Sequence, residues 1–410
     1  MNPPRETIAY VTRDIERALG MEPQEGYFVI ANRTAYAESI QKQYPRNVIL
    51  IDSPTGELLG TGDLLKHEKT LDFLANHRDS AGTSPKLLVF KNSALIEPVA
   101  SERGWKLLNP PAALAEKIEN KISQIEWLGG LSKYLPFHHV ELMKDVRWNG
   151  EPLVVQWAHG HTGGGTILVR TGAELAALKE KFPERRSRVT AFINGPSLTV
   201  NVVVGADAIL AGNINYQITG MAPFTGNAFA TVGNDWKLAH TILTDADKQA
   251  IASLIHDIGA RMQKDSWRGL FGLDFMKDSV TGRIYLIEIN ARQPASTTYE
   301  SQLQRIRRAE GASGMTTFEA HIAALTGQPL SQPIIALTDG AQIIQRVTGD
   351  ISSISDETIG SLELSGFEVM AYPNTEENSD LIRIQSATGI MAEHGVFNET
   401  GQEIRDTILQ

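Results

Sequence analysis

The spacing of apolar positions along the chain changes twice and divides it into three parts. From the N-terminus to about residue 109, short apolar runs alternate with amphipathic stretches. Tyr27 to Ala31, Asn47 to Asp52 and Lys86 to Phe90 read as strands, and 35–44 and 63–76 carry apolar residues at helical spacing. Strand–helix alternation of this kind predicts a parallel α/β sheet over 1–109. Pro110-Pro111 marks a boundary, and Leu114, Ile118, Ile122 and Ile125 then predict one helix over 112–128, closed by Gly129-Gly130. In the second part, 110–330, strands are expected at 153–158, 166–170, 188–193, 198–204 and 208–218. Helices are expected at 173–181, 245–264, 299–310 and 318–325, and the stretch 219–235 reads as a loop. The third part, 331–410, shifts to strands and turns (342–347, 367–371 and 381–384) before a final helix at 403–409.

A chain of 410 residues is too long for one ordinary core, which agrees with several domains. The net charge of −10 argues against a nucleic-acid partner. With no cysteine, the chain has no disulfide, thiolate metal site or cysteine nucleophile. The first twenty residues lack a signal-peptide pattern, and no apolar run is long enough for a bilayer, so no membrane partner and a cytoplasmic location are expected. No G-x-G-x-x-G follows the first strand, which leaves a dinucleotide site without support.

The stretch from Gly269 to Thr297 carries the most chemistry. Leu270 to Met276 and Ile284 to Ile289 are apolar arms joined by the turn signal Ser279-Val280-Thr281-Gly282, which predicts a β-hairpin. A turn centred near Thr281 sets Asp274 opposite Glu288, and side-chain alternation aims Glu288, Asn290 and Arg292 the same way. Two carboxylates facing each other across a hairpin repel, and a carboxylate within an apolar arm needs a partner. A divalent cation between them answers both demands. Two carboxylates and an amide oxygen suit Mg²⁺ or Mn²⁺ that also holds phosphate oxygens.

A second stretch, Glu151 to Arg170, places His159-Gly-His161-Thr-Gly163-Gly164-Gly165 between two strands. Glycines let backbone N–H groups approach an anion closely, so the stretch reads as a flap over phosphates. It is not a P-loop, since no G-K-[ST] follows. Two histidines without a third ligand are weak evidence for zinc.

The pattern FGLDFM…YLIEINAR resembles the metal-binding signature of the ATP-grasp superfamily, with looser agreement over residues 110 to 330. The resemblance implies an ATP-grasp core with a lid subdomain at about 133–188. An α/β pre-grasp domain would precede it, over 1–109, and a small β-rich domain would follow, over 331–410. It implies ATP and Mg²⁺ or Mn²⁺ as cofactors, Asp274, Glu288 and Asn290 as metal ligands, and Arg292 as the group that neutralises the transferring phosphoryl. Lys121, His161, Gly163, Gly164 and Gly165 would contact phosphates, and the hinge at Phe192 and Ile193 would bind adenine through its backbone. Relatives carry a phosphate-binding lysine at the position of Gln156, so Lys144, Arg170 or another cation must supply that charge, or affinity falls. The implied activity is ADP-forming ligation, in which a small-molecule or peptide carboxylate, activated as an acyl phosphate, is coupled to an amine, in a chain expected to form a homodimer. A biotin-carboxylase-type enzyme with a separate carrier is the alternative, and a non-catalytic nucleotide-binding module is a third reading.

Overall fold

A computed structural model describes residues 6–53, 56–78, 82–158 and 165–410. The N-terminal part is a four-stranded parallel sheet of β1 (Ile8–Thr12), β2 (Tyr27–Asn32), β3 (Val48–Ile51) and β4 (Lys86–Val89), in the order β3-β2-β1-β4. Every residue of β1 is buried, as a parallel strand covered on both faces requires. The strand order reverses between β1 and β4. In such sheets ligands bind beyond the carboxyl ends of the strands at that point. Here those ends lead to Arg17, Phe90 and Lys91, which line a large cavity.

Strand β1, wholly buried, is not among the strands expected from the sequence. The helix expected over 112–128 is two helices, Ala112–Glu119 and Ser123–Leu128. Asn120 makes the break, because its side-chain oxygen accepts from the N–H of Ile122 and Ser123 and so caps the second helix locally.

The segment expected as a lid is an antiparallel sheet of β5 (His138–Leu142), β6 (Leu153–Gln156), β7 (Thr166–Val169) and β8 (Arg186–Ala191), in the order β5-β8-β6-β7. Its own small core, which includes Met143, Val155, Val169 and Val189, packs under the helix Gly172–Lys181.

The large sheet unites the core with the C-terminal part. Its strands are β9 (Ser197–Val204), β10 (Ile209–Ala211), β11 (Asn215–Thr219), β12 (Thr231–Asp235), β13 (Gly269–Lys277), β14 (Ile284–Asn290), β15 (Ala341–Arg346), β16 (Glu368–Ala371) and β17 (Asp380–Ser386). The order is β14-β13-β9-β11-β12-β15-β17-β16, with β10 on β9. The strands from 331 onward therefore extend the sheet that carries the hairpin. Strand β12 lies within the stretch read as a loop, and the strand expected over 208–218 is broken at Gly212, where a Cβ would meet Asn201 O at 2.9 Å. The central β9 is buried along both faces. Val200, Val202 and Val204 meet Ile251, Leu254, Ile258 and Met262 of the helix Asp245–Lys264, and Val203 lies in a separate core with Ala320 and Ala324 of the helix Thr317–Leu325.

Candidate active site

The lid, the large sheet and the N-terminal sheet enclose one cavity of about 890 Å³. The hairpin β13–β14 forms part of its wall. Asp274 pairs in register with Glu288, and the ladder shifts immediately afterwards, so that Phe275 faces Leu286 and Ile287 is the extra residue of a bulge. The bulge sets Ile287 and Glu288 together on the cavity wall, with Asn290 and Arg292 beyond them.

Each polar group of the hairpin has a definite partner. Asp274 accepts from Asn290 Nδ2 at 2.9 Å and from Gln217 Nε2 at 3.1 Å. Burial, then the charge of Glu288, pushes the Asp274 carboxyl up to about 6. Glu288 accepts from Lys121 Nζ at 2.9 Å. Lys121 stands in the break between the two helices, where its N–H donates to Ala158 O, and the side chain is buried. The expected phosphate-contacting lysine thus reaches the hairpin carboxylate directly. Arg292 Nη1 donates to Asn290 Oδ1 at 2.7 Å and to Glu119 Oε1 at 2.6 Å, while Lys91 Nζ meets the other oxygen of Glu119 at 2.5 Å. Burial opposes the charge on Glu119, but Arg292 and Lys91 outweigh it and hold its pKa below the ordinary range. Sequence reasoning missed Glu119, since one acidic residue on an amphipathic helix carries no signal of its own.

These residues fit a divalent cation bound together with phosphates. Among the described residues no group of three or more His, Cys, Asp or Glu side chains stands ready to hold a metal. Asp274 and Glu288 are instead two like charges held in register, and an ion on them would complete its shell from phosphate and water, as Mg²⁺ does. Asn290 presents its amide N–H to Asp274 and its oxygen to Arg292, so the amide must turn if its oxygen is to become a ligand.

Gln156 is buried in the cavity wall, and its oxygen accepts from Arg188 Nε at 2.8 Å, directly across the β6–β8 pair. Arg188 also donates to Gln124 Oε1 and to Ile287 O, both at 3.0 Å. It lines the cavity at 1% exposure, and no carboxylate among the described residues is in hydrogen-bonding contact with it. Burial lowers its pKa to about 10, and the charge of Glu288 opposes that shift. Of the two named cations considered for the missing lysine's charge, Arg170 also lines the cavity, whereas Lys144 is spent on Glu184 at 2.9 Å away from it. An arginine on a strand gave no sequence signal, because strand alternation does not say which face meets a ligand.

The hinge residues Phe192 and Ile193 line the cavity beside Gly195. That glycine has φ +154°, and a Cβ on it would meet Lys277 O at 2.0 Å, so only glycine fits between the hinge and the hairpin. Gly165 closes the described base of the flap, its carbonyl accepting from Trp157 N at 2.9 Å. The expectations for His159, His161, Gly163 and Gly164 lie outside the described residues. Arg305, Arg307 and Arg308 do not reach the cavity. They donate to Gly20 O, Glu310 and Glu319 respectively.

Residues 118–296 match the family model of the ATP-grasp domain. Comparison of the sequence with curated proteins returns no match. In structure the chain is similar over 99% of its length to N5-carboxyaminoimidazole synthetase from Staphylococcus aureus complexed with ADP, covering 98% of that chain with 15% identity and a TM-score of 0.65. It is similar over 98% of its length to an L-amino acid ligase from Bacillus licheniformis, covering 97% of that chain, at 15% identity and a TM-score of 0.61. The biotin carboxylase domain of the Hydrogenobacter thermophilus 2-oxoglutarate carboxylase, in complex with MgADP and bicarbonate, is covered to 86% by 94% of this chain, at 12% identity and a TM-score of 0.62. Residues 118–296 thus match an ATP-grasp domain, and the chain as a whole shares the fold of these structures.

Proposed function

We propose that this chain is an ADP-forming ligase that activates a substrate carboxylate with ATP and couples it to an amine. The observation that carries the reading is the pairing of Asp274 with Glu288 in the cavity wall beside the buried cations Lys121 and Arg188. Phosphoryl transfer needs positioning, charge neutralisation and exclusion of water more than a protein nucleophile. A magnesium ion on Asp274 and Glu288, with Asn290 beside it, would supply charge neutralisation at the phosphates. Arg188 and Lys121 add fixed positive charge on the lid side and the helix side of the same wall. Arg292, held by Glu119, supports the carboxyl end of β14, where an activated carboxylate would lie. Phe192 and Ile193 offer backbone groups to a base, and the flap containing His161, Gly163, Gly164 and Gly165 would exclude water. The names of the similar structures support small molecules as the class of substrates, and the described helices include none long and apolar enough to cross a membrane.

Release of ADP and phosphate, assayed with panels of acids and amines, tests the reading. Turnover that requires both an acid and an amine is the expected result. Formation of AMP and pyrophosphate, or no turnover with any pair, would contradict it. The likeness to a biotin carboxylase domain bound to bicarbonate favours one variant, in which the acid is bicarbonate. ATP hydrolysis that depends on bicarbonate and free biotin would select it.

A further inference from the structure

At the end of the cavity away from the hairpin, two buried arginines stand side by side. Arg346 ends β15 and Arg383 lies on β17. Ile344 between them faces Arg383 in the ladder, and all three line the cavity. Four strand spacings, about 19 Å measured along the sheet, separate β15 from β13, so a group on these arginines is distinct from the phosphates on the hairpin.

The partners of the Arg346 guanidinium are incomplete. Arg346 donates through Nη1 to Asn378 O and through Nη2 to Thr231 O, both neutral carbonyls, at 3.1 and 3.0 Å. Its Nε is buried with no partner among the described residues, in a residue 6% exposed. Arg383 donates to Tyr372 OH at 3.0 Å and to Gln342 Oε1 at 3.2 Å, and reaches Asp380 only at 3.4 Å. Tyr372 in turn donates to Glu16, so that Arg383 is tied to the N-terminal domain. Burial pushes the Glu16 carboxyl up, and Asp380, opposite Arg346 in the ladder and 3.4 Å from Arg383 Nη2, is shared between the two arginines. Burial and the charge of Arg383 both weigh against the Arg346 cation. Buried charge that is neither paired nor fully hydrogen-bonded is costly, and an orphaned guanidinium N–H beside a cavity marks the place of an absent acceptor.

We propose that Arg346 and Arg383 form a binding site for an acidic group of the second substrate, so that the amine acceptor is an anionic small molecule. A carboxylate or a phosphate would accept from Arg346 Nε and from the remaining donors of both guanidinium groups. The ligand's anionic end would sit on β15 and β17, and its amine would point along the cavity toward the hairpin. That this ligand is the acceptor rests on the ligase reading. That the site takes an anion does not.

The test is equilibrium binding at constant ionic strength with saturating MgADP, using inorganic phosphate in one arm and succinate in the other and following the thermal transition of the full chain. Saturable stabilisation by either probe is expected in the wild type, and the arm that binds more tightly separates a phosphorylated acceptor from a carboxylic one. R346M should weaken that binding by about tenfold or more, while R346K, which keeps the charge but loses the fork, should fall between. A wild type stabilised by neither probe, or an R346M protein stabilised as strongly as the wild type, overturns the proposal. Failure of MgADP itself to bind would count against the ligase reading, and the two arms repeated without nucleotide would still decide the anion site.

Discussion

Lys121 Nζ lies 2.9 Å from Glu288 Oε1, and the two residues are 167 positions apart in the chain. The contact exists because Asn120 interrupts the helix and turns the next residue inward, and because the bulge at Ile287 brings Glu288 onto the same wall. The pair joins the helix break at Asn120 to the β13–β14 hairpin. K121M and E288Q are each expected to lower kcat for ADP formation by about 10²-fold or more, with E288Q the more severe. Steady-state kinetics under saturating Mg²⁺ check this, and circular dichroism would show whether the fold is retained.

Arg188 stands where the structure needs a cation opposite Gln156. R188M should raise the Kd for ADP by about tenfold or more. Q156K placed in the R188M background should recover a substantial part of that loss, because it returns one positive charge to the same wall. Calorimetric titration of the wild type and the three variants (R188M, Q156K and the double) reads the coupling. Equal losses in R188M and the double variant would show that Arg188 acts only through packing.

Gly195 gives a test of the hinge that touches no charged group. G195A requires φ +154° of a residue with a Cβ and drives that Cβ into Lys277 O. Displacement of the hairpin from the hinge should lower the Tm by several degrees and weaken ADP binding together. Differential scanning fluorimetry with and without ADP measures both.

A pH dependence follows from His321, far from the cavity chemistry. Its Nδ1 accepts from Leu270 N at 3.0 Å at the start of β13, and burial lowers its pKa to about 3. The folded state therefore binds this proton less readily than the unfolded chain. The contribution to stability is fully present above pH 6.5 and declines as pH falls toward 3, by up to about 1.4 kcal/mol per unit for the one proton. H321N, whose side-chain oxygen can take over the acceptor role, should show a shallower fall between pH 6.5 and 3. Urea unfolding as a function of pH provides the comparison.

The hairpin was legible because its information is local: apolar arms, a turn and an acidic residue on each arm determine one register. The N-terminal parallel sheet was legible from alternation, apart from β1, which is as apolar as β3 and β4 but is preceded by no helical stretch that would set it off as part of the alternation. Other features depended on contacts remote in sequence. The break at Asn120 depends on a side chain capping its own backbone, against an apolar spacing that runs on unbroken. Strand β12 was hidden because its residues Thr231 to Asp235 read as turn-forming, and only pairing with β11 and β15 makes them a strand. Arg188, Glu119, Arg346 and Arg383 gained meaning only when several strands and two domains met around one cavity.

The central claim is that the β13–β14 hairpin holds the divalent cation of a nucleotide. Electron paramagnetic resonance of Mn²⁺ titrated with ADP and protein reads this directly, since free and bound ions differ in signal. Formation of a ternary Mn–ADP complex by the wild type, lost in the D274N/E288Q double variant while the fold is retained, is the expected result. A double variant that binds Mn–ADP as tightly as the wild type would contradict the account.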